Sequence, residues 1–381
     1  MAPIRVAIVG LSASAKTAWA SRAHLPYLLS ARGRERFEIV ALLNSSVDAA
    51  KAAIAAYELP ATTKAYGDPD ALAADADVDL VVVNTRVDVH HAVIRPSVAA
   101  GKAAFVEWPL AQDAAHARDL ADLAREKGVL AKSAVGLQGR LSPVAKAVRA
   151  ALDAGRIGKL LSVEVRAFGG TNDRDAVPNT LSYFLDRDVG GHIYSIGAAH
   201  LIDLVQSVVG EVESPQAQFT LQRPTVTIKD AATGAAIGTA PSNVPDLILI
   251  SGTLAPSAIV APHAASLHYR YRRGQQFPGD PALTWTLAGE TGEIRVTSEK
   301  SATISVINDF PPTVELYDFA TGAVELISWQ WLPWQEELPI FARGIGAIYE
   351  AISEGKGGQV TFEDALKRHE QLEGLLAPWK A

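Results

Sequence analysis

Short apolar runs that do not alternate with polar residues recur through the first third of this chain, each followed by a segment of helical spacing. The runs are Arg5–Gly10, Phe37–Leu43, Val78–Val83, Ala103–Val106 and Val129–Val135. The helical segments are Trp19–Ala31, Val47–Tyr57, His90–Ala100 and Ala111–Lys127, the last closed by Gly128. A strand that is apolar on both faces has to be covered on both faces, so this order predicts a doubly wound parallel sheet, an α/β Rossmann-type domain. Such sheets take ligands at the carboxyl ends of their strands. The first strand-to-helix turn runs from Gly10 through Leu11, Ser12 and Ala13 to Lys16. A dinucleotide's pyrophosphate is expected there, because small residues allow close backbone approach and a helix N-terminus carries partial positive charge.

After about Gln138 the pattern changes. A helix, Pro143–Ala154, is followed by β-type runs at Leu160–Phe168, Glu213–Arg223, Thr225–Asp230, Asp246–Leu254, Ala264–Arg272, Leu283–Leu287, Glu293–Thr297 and Thr303–Ile307. One helix, Ser195–Val209, interrupts them, and Pro339–Glu354 and Phe362–Leu375 return to helix. Many strands with few helices predict an α+β domain built on a large, mostly antiparallel sheet. The division expected is therefore 1–137 for the dinucleotide-binding domain and 138–381 for a substrate and oligomerisation domain with returning helices.

With 381 residues and a net charge of −7, the chain lacks the clustered Lys and Arg of a nucleic-acid surface. Its richest basic stretch, Arg270-Tyr-Arg-Arg273, is short and reads as a strand face or loop rim. The absence of cysteine excludes disulfides, thiolate metal sites and a cysteine nucleophile, and a cytoplasmic address is the default. The N-terminal apolar run is too short for a signal-peptide core, and no run reaches the roughly 18–20 residues that span a bilayer. His90-His91 has no carboxylates at ligand spacing, so no metal is expected.

The glycine turn keeps only the first glycine of the G-x-G-x-x-G fingerprint, and taken alone it is a weak signal. After the second strand, Asn44-Ser45-Ser46 stands where NAD-preferring proteins place an acid for the ribose hydroxyl. Nothing there repels a 2′-phosphate, so NADP is admitted beside NAD and slightly preferred. The same residues also suit a helix N-cap.

At Glu107-Trp108-Pro109 the chain resembles the Gfo/Idh/MocA oxidoreductases, whose fourth strand ends in Glu-Lys-Pro. Thr85 and His90 match that family's Thr-Pro-Asn-x-x-His segment, with Arg86 and Val87 replacing its Pro and Asn. His200-Leu-Ile-Asp203 resembles its Gly-x-His-x-x-Asp helix, and Gly289-Glu-Thr-Gly-Glu-Ile294 its sheet hairpin. Within the family, a galactose-regulon repressor-like branch is similar at Gly10-Leu-Ser-Ala, Trp19, His24, Phe105-Val-Glu-Trp108 and Leu137-Gln-Gly-Arg140. The resemblance implies a Rossmann domain with Gly10, Leu11, Ser12, Ala13, Lys16, Asn44, Ser45, Ser46, Thr85, Arg86, His90, Glu107, Trp108 and Pro109 at the cofactor. It also implies a homodimer or tetramer.

Oxidation of a carbinol needs a base for the hydroxyl proton while a nicotinamide takes the hydride. The family uses the Lys of Glu-Lys-Pro and the helix His, with an Asp four residues earlier. Here Trp108 replaces the Lys and Ile196 the Asp, while His200 remains. Tyr194 or His192, just before that helix, can complete a relay with His200. Gln138, Arg140, Arg174 and Asp203 are candidate substrate contacts, and Trp329, Trp331 and Trp334 form an aromatic group suited to a sugar cleft, a core or an interface. Three functions stay open. The first is an NAD(P)-dependent oxidoreductase acting on a sugar, polyol or small carbonyl compound. The second is a catalytically silent nucleotide-binding regulator that sequesters a transcription activator. The third is a lyase, glycosidase or isomerase using its nicotinamide transiently.

Overall fold

A computed structural model describes residues 2–13, 18–169, 173–262, 265–303, 311–355 and 358–380. The chain separates into two compact units, each assembled from distant stretches. The first comprises Met1–Gln138, Asp188–Gly191 and Trp331–Gln371, and the second Gly139–Arg187, His192–Gln330 and Leu372–Ala381.

The first unit carries a six-stranded sheet of β1 (Ile4–Val9), β2 (Phe37–Leu43), β3 (Lys64–Tyr66), β4 (Leu80–Val83), β5 (Ala103–Val106) and β6 (Ala134–Val135). All pairings are parallel, and the spatial order is β3-β2-β1-β4-β5-β6. The order reverses beside β1, which places the switch point between the ends of β1 and β4. β4 is fully buried along Leu80–Val83, as a run apolar on both faces requires. The expected helix Trp19–Ala31 forms as a π-helical turn, Ala20–His24, followed by an α-helix, Leu25–Leu29, that stops at Ser30. The Ser30 hydroxyl instead caps the next short helix by accepting from the Gly33 amide. The expected fifth strand, Val129–Val135, is shorter in fact, because Leu130–Lys132 forms a 3₁₀ turn and only Ala134–Val135 pairs.

The helix Ile340–Glu354 and residues of the helix Phe362–Leu376 belong to this first unit, whereas a division at residue 137 puts them in the second. The reason lies in buried contacts that periodicity does not reveal. Tyr349 stacks on Tyr27 with ring centroids 5.3 Å apart, Glu350 pairs with Arg32, and the Val135 amide donates to the Val360 carbonyl.

In the second unit an eight-stranded sheet follows the order β17-β16-β15-β14-β7-β13-β12-β9. Its strands are β7 (Leu160–Gly169), β9 (Val212–Thr220), β12 (Leu247–Leu254), β13 (Ala265–Arg273), β14 (Leu283–Gly289), β15 (Gly292–Ser298), β16 (Thr313–Asp318) and β17 (Val324–Leu326). β7 and β13 run parallel at its centre, and every other pairing is antiparallel. The large, mostly antiparallel sheet is as expected. β8 (Ala176–Pro178), β10 (Thr225–Lys229) and β11 (Ala236–Pro241) form a small sheet over Val177, Leu185 and Val226. Of the expected strand Thr303–Ile307, only Thr303 lies inside the described residues. Among the described residues no helix is long and apolar enough to cross a membrane.

Candidate functional site

Gly10 ends β1 with φ +88°, a conformation that suits glycine. A Cβ here would lie 3.0 Å from Thr85 Cγ2 and 3.2 Å from the Asn84 carbonyl, so this glycine lets the ends of β1 and β4 meet. The turn is braced from behind. Asn44 Nδ2 donates to the Leu11 carbonyl at 2.8 Å and to the Ala49 carbonyl at 3.3 Å, and the Tyr57 hydroxyl donates to the Ser12 carbonyl. Leu11 is buried, Ser46 is the N-cap of the helix Val47–Ala56, and Ser45 is exposed. Asn44 and Ser46 are therefore held by the fold itself. Lys16 lies outside the described residues.

At the switch point the side-chain amide nitrogen and oxygen of Asn84 and the Thr85 hydroxyl are buried without hydrogen-bond partners among the described residues. Leaving a buried polar group unpaired costs about 1–3 kcal/mol, so their collection at one strand end marks a place where a bound molecule supplies the partners. The Gly10 cradle and these orphaned groups fit a dinucleotide. Asn84 was not singled out from sequence, since an Asn after a strand looks like any turn residue.

Around β5 the geometry is of two kinds. Glu107 Oε1 lies 2.7 Å from His24 Nε2, and His24 Nδ1 lies 2.8 Å from the Tyr349 hydroxyl. Every group is used when Nε2–H donates to the carboxylate and the hydroxyl donates to Nδ1. Gly136 makes room for this, because a Cβ there would sit 2.5 Å from Glu107 Oε2. Trp108, by contrast, is buried, with its ring 4.7 Å from that of His369. Burial lowers the His369 pKa to about 4. The Trp108–Pro109 peptide is cis. His90 is also buried, its Nδ1 and Nε2 each 2.9 Å from the carbonyls of Pro109 and Thr85, so it ties the ends of β4 and β5 together. Arg86 makes a bidentate pair with Asp88. Gln138 is buried, with Oε1 unpartnered.

In the second unit a π-helical turn, Ile193–Ala198, leads into the helix Ala199–Val209. His192 is its N-cap, with Nδ1 accepting from the Ser195 amide, and burial lowers its pKa to about 4. The Tyr194 hydroxyl donates to the Leu372 carbonyl at 2.9 Å, and burial raises its pKa. The Tyr194 hydroxyl and His192 Nδ1 are thus engaged with Leu372 and Ser195 respectively. The half-buried His200 lines a small cleft with Gly139, Gly197, Leu204 and Thr303. Asp203 is buried and held by Arg140 through two bonds of 2.8 and 2.7 Å, so the fold brings these two expected substrate contacts together. Arg174 Nη2 donates to the Gln275 carbonyl. The tryptophans divide: Trp329 bonds the Pro312 carbonyl in the second unit, while Trp334 packs on Tyr27 and Trp331 under Arg343 in the first. Among the described residues no cluster suits a metal ion.

Residues 4–135 match the family model described as GFO_IDH_MocA, an oxidoreductase family with an NAD-binding Rossmann fold. Residues 143–298 match the Gal80p C-terminal domain. The dehydrogenase aclE of Aspergillus oryzae is 28% identical over 375 residues, spanning 98% of this chain and 95% of that protein. The galactose/lactose metabolism regulatory protein GAL80 of Saccharomyces cerevisiae is 28% identical over 260 residues, 66% of this chain and 58% of that one. A crystal structure of a super-repressor mutant of Gal80p from Saccharomyces cerevisiae superposes with a TM-score of 0.85 at 22% identity, covering 99% of this chain and 96% of that one. Residues 4–135 thus carry the NAD-binding Rossmann fold of the Gfo/Idh/MocA oxidoreductase family, and residues 143–298 are similar to the Gal80p C-terminal domain.

Proposed function

We propose that this protein is an NAD(P)-dependent oxidoreductase acting on a sugar, polyol or related small carbonyl compound. The observation that carries the reading is the orphaned Asn84 amide and Thr85 hydroxyl beside the Gly10 cradle, polar groups that a bound dinucleotide would satisfy. The similarity to a dehydrogenase along almost the whole chain supports it. A nicotinamide bound there supplies hydride exchange with a carbinol carbon. The chain's own part is to take the carbinol proton. Trp108 has no group able to accept it, Tyr194 and His192 are spent on Leu372 and Ser195, and we assign the role to His200. NADP is favoured slightly, because Asn44-Ser45-Ser46 presents no carboxylate to a 2′-phosphate and Ser45 is exposed.

The buried packing of Trp108 on His369 favours a second reading, a nucleotide-binding regulator that has lost hydride transfer. Turnover separates the two. The purified protein is incubated with NAD⁺ or NADP⁺ and a panel of sugars and polyols, and absorbance of the reduced nicotinamide is followed. The oxidoreductase reading expects turnover on at least one substrate, reduced about 100-fold or more in His200→Ala. Nucleotide binding with no turnover on any substrate establishes the regulator instead.

A further inference from the structure

In a chain of net charge −7, the second unit gathers arginines at one end of β7 and β13. In the parallel register Arg270 lies opposite Arg166, and Arg272 opposite Phe168. Alternation puts these four on one face, while Ala167, Tyr269 and Tyr271 on the other are buried. The guanidinium carbons of Arg166, Arg270 and Arg272 stand 5.2, 5.6 and 4.9 Å from the centroid of the Phe168 ring. Arg174 and Arg272 converge on a single acceptor, both donating through Nη2 to the Gln275 carbonyl at 3.1 and 2.8 Å.

Like charges held directly opposite one another destabilise a sheet, so each cation needs an opposing charge. Some have one. Arg166 pairs with Asp280 and Arg223 with Asp175. Buried Arg273 donates to the carbonyls of Asp173 and Ala176, with Asp246 near it. Arg174, Arg270 and Arg272 have none: among the described residues they make no ion pair, and the Nε atoms of Arg174 and Arg272 are buried without partners. The nearby Asp173 carboxylate already accepts from Gln275 Nε2 and Lys229 Nζ. Burial and the surrounding arginines together lower the Arg272 pKa, and burial and Arg166 lower that of Arg270. Arg270 also borders an open trough of ≈ 570 Å³ whose polar lining includes Gln218, Ser251 and His268, with Glu164 as its acid.

We propose that Arg174, Arg270 and Arg272, gathered around Phe168 and Gln275, form a binding site for a phosphate-type oxyanion, free or carried as a phosphate monoester. A guanidinium presents its N–H groups as a planar fork that matches phosphate oxygens two at a time. A dianion between three such forks supplies the charge the cluster lacks and the acceptors its unpartnered N–H groups require. The site lies wholly within the second unit and does not depend on the function assigned to the glycine turn.

Thermal unfolding of the full chain tests this with inorganic phosphate and with phenyl phosphate, each against sodium chloride at equal ionic strength and with NAD⁺, which carries no phosphate monoester, present throughout. The expected result is a saturable rise in Tm of several degrees over chloride. Arg270→Gln and Arg272→Gln should abolish that rise without lowering Tm in chloride, because each removes a repelled cation. A rise with phosphate alone identifies the free anion, and an equal or larger rise with phenyl phosphate identifies a monoester. No rise over chloride in the wild-type chain overturns the proposal, as does a rise that survives both substitutions. Should the glutamine variants lose their folded baseline, Arg270→Lys retains the charge but not the fork. A diminished rise in that variant supports the site, and an unchanged one overturns it.

Discussion

Asp203 and Arg140 illustrate what a single residue can and cannot disclose. The spacing His200-Leu-Ile-Asp203 identifies the helix, but the acid's partner lies far back in sequence, and only the fold brings the two together. Removing one member of a buried pair strands the other charge. Arg140→Met should therefore cost about 3–5 kcal/mol in urea unfolding, and adding Asp203→Leu should recover much of the loss. Equal stability in the single and double variants would contradict the pairing. His192 and His369 carry a second consequence. Burial holds both near a pKa of about 4, below the ordinary 6.5. As pH falls the unfolded chain binds protons first, so the stability these residues contribute is complete above 6.5 and is lost as pH drops from there toward 4. The loss should reach about 3 kcal/mol for each, read as a falling urea midpoint, and His369→Phe should flatten the curve. A midpoint independent of pH across that window would refute the burial argument. Trp108 was legible as a departure from the family lysine, but its contact with His369 was not, because side-chain partners across the chain leave no local pattern.

At the scale of elements, apolar patterning located the parallel strands well because burial on both faces leaves an unbroken signature. It failed where other forces decide. β11, at Ala236–Pro241, carries exposed residues and no apolar run, and β17 is exposed along its whole length, so neither had a hydrophobic signal to read. The helix entered through Ile193–Ala198 is π-wound at its start, so side-chain positions extrapolated from regular spacing do not hold there, and Tyr194 turns inward. Gly10 is the element boundary on which most depends. Gly10→Ala places a Cβ at φ +88° and within 3.0 Å of Thr85 Cγ2. Expected outcomes are a stability loss of about 1–3 kcal/mol by denaturant titration and a Kd for NAD(P) raised about tenfold or more. Unchanged nucleotide affinity in a folded Gly10→Ala protein would separate the turn from cofactor binding.

The molecule as a whole is two units threaded through one another in sequence. The first is completed by a return of the chain at Trp331–Gln371 and by the short stretch Asp188–Gly191, where Gln112 Nε2 donates to the Asp188 carbonyl. Periodicity shows that Ile340–Glu354 is a helix. It cannot show that Tyr349 completes the His24–Glu107 network or that Glu350 receives Arg32, since those contacts pair residues more than three hundred positions apart. The fold was thus legible in outline, the site only as a set of candidates. Of these, Gly10 lies at the strand junction with Asn84, and Asp203 lies hydrogen-bonded to Arg140. Calorimetric titration of NAD⁺ and NADP⁺ into the purified protein addresses the account at this scale most directly. Saturable binding of one nucleotide per chain, with NADP⁺ at least as tight as NAD⁺, is the predicted result. Absence of binding by both nucleotides to the folded protein would contradict it.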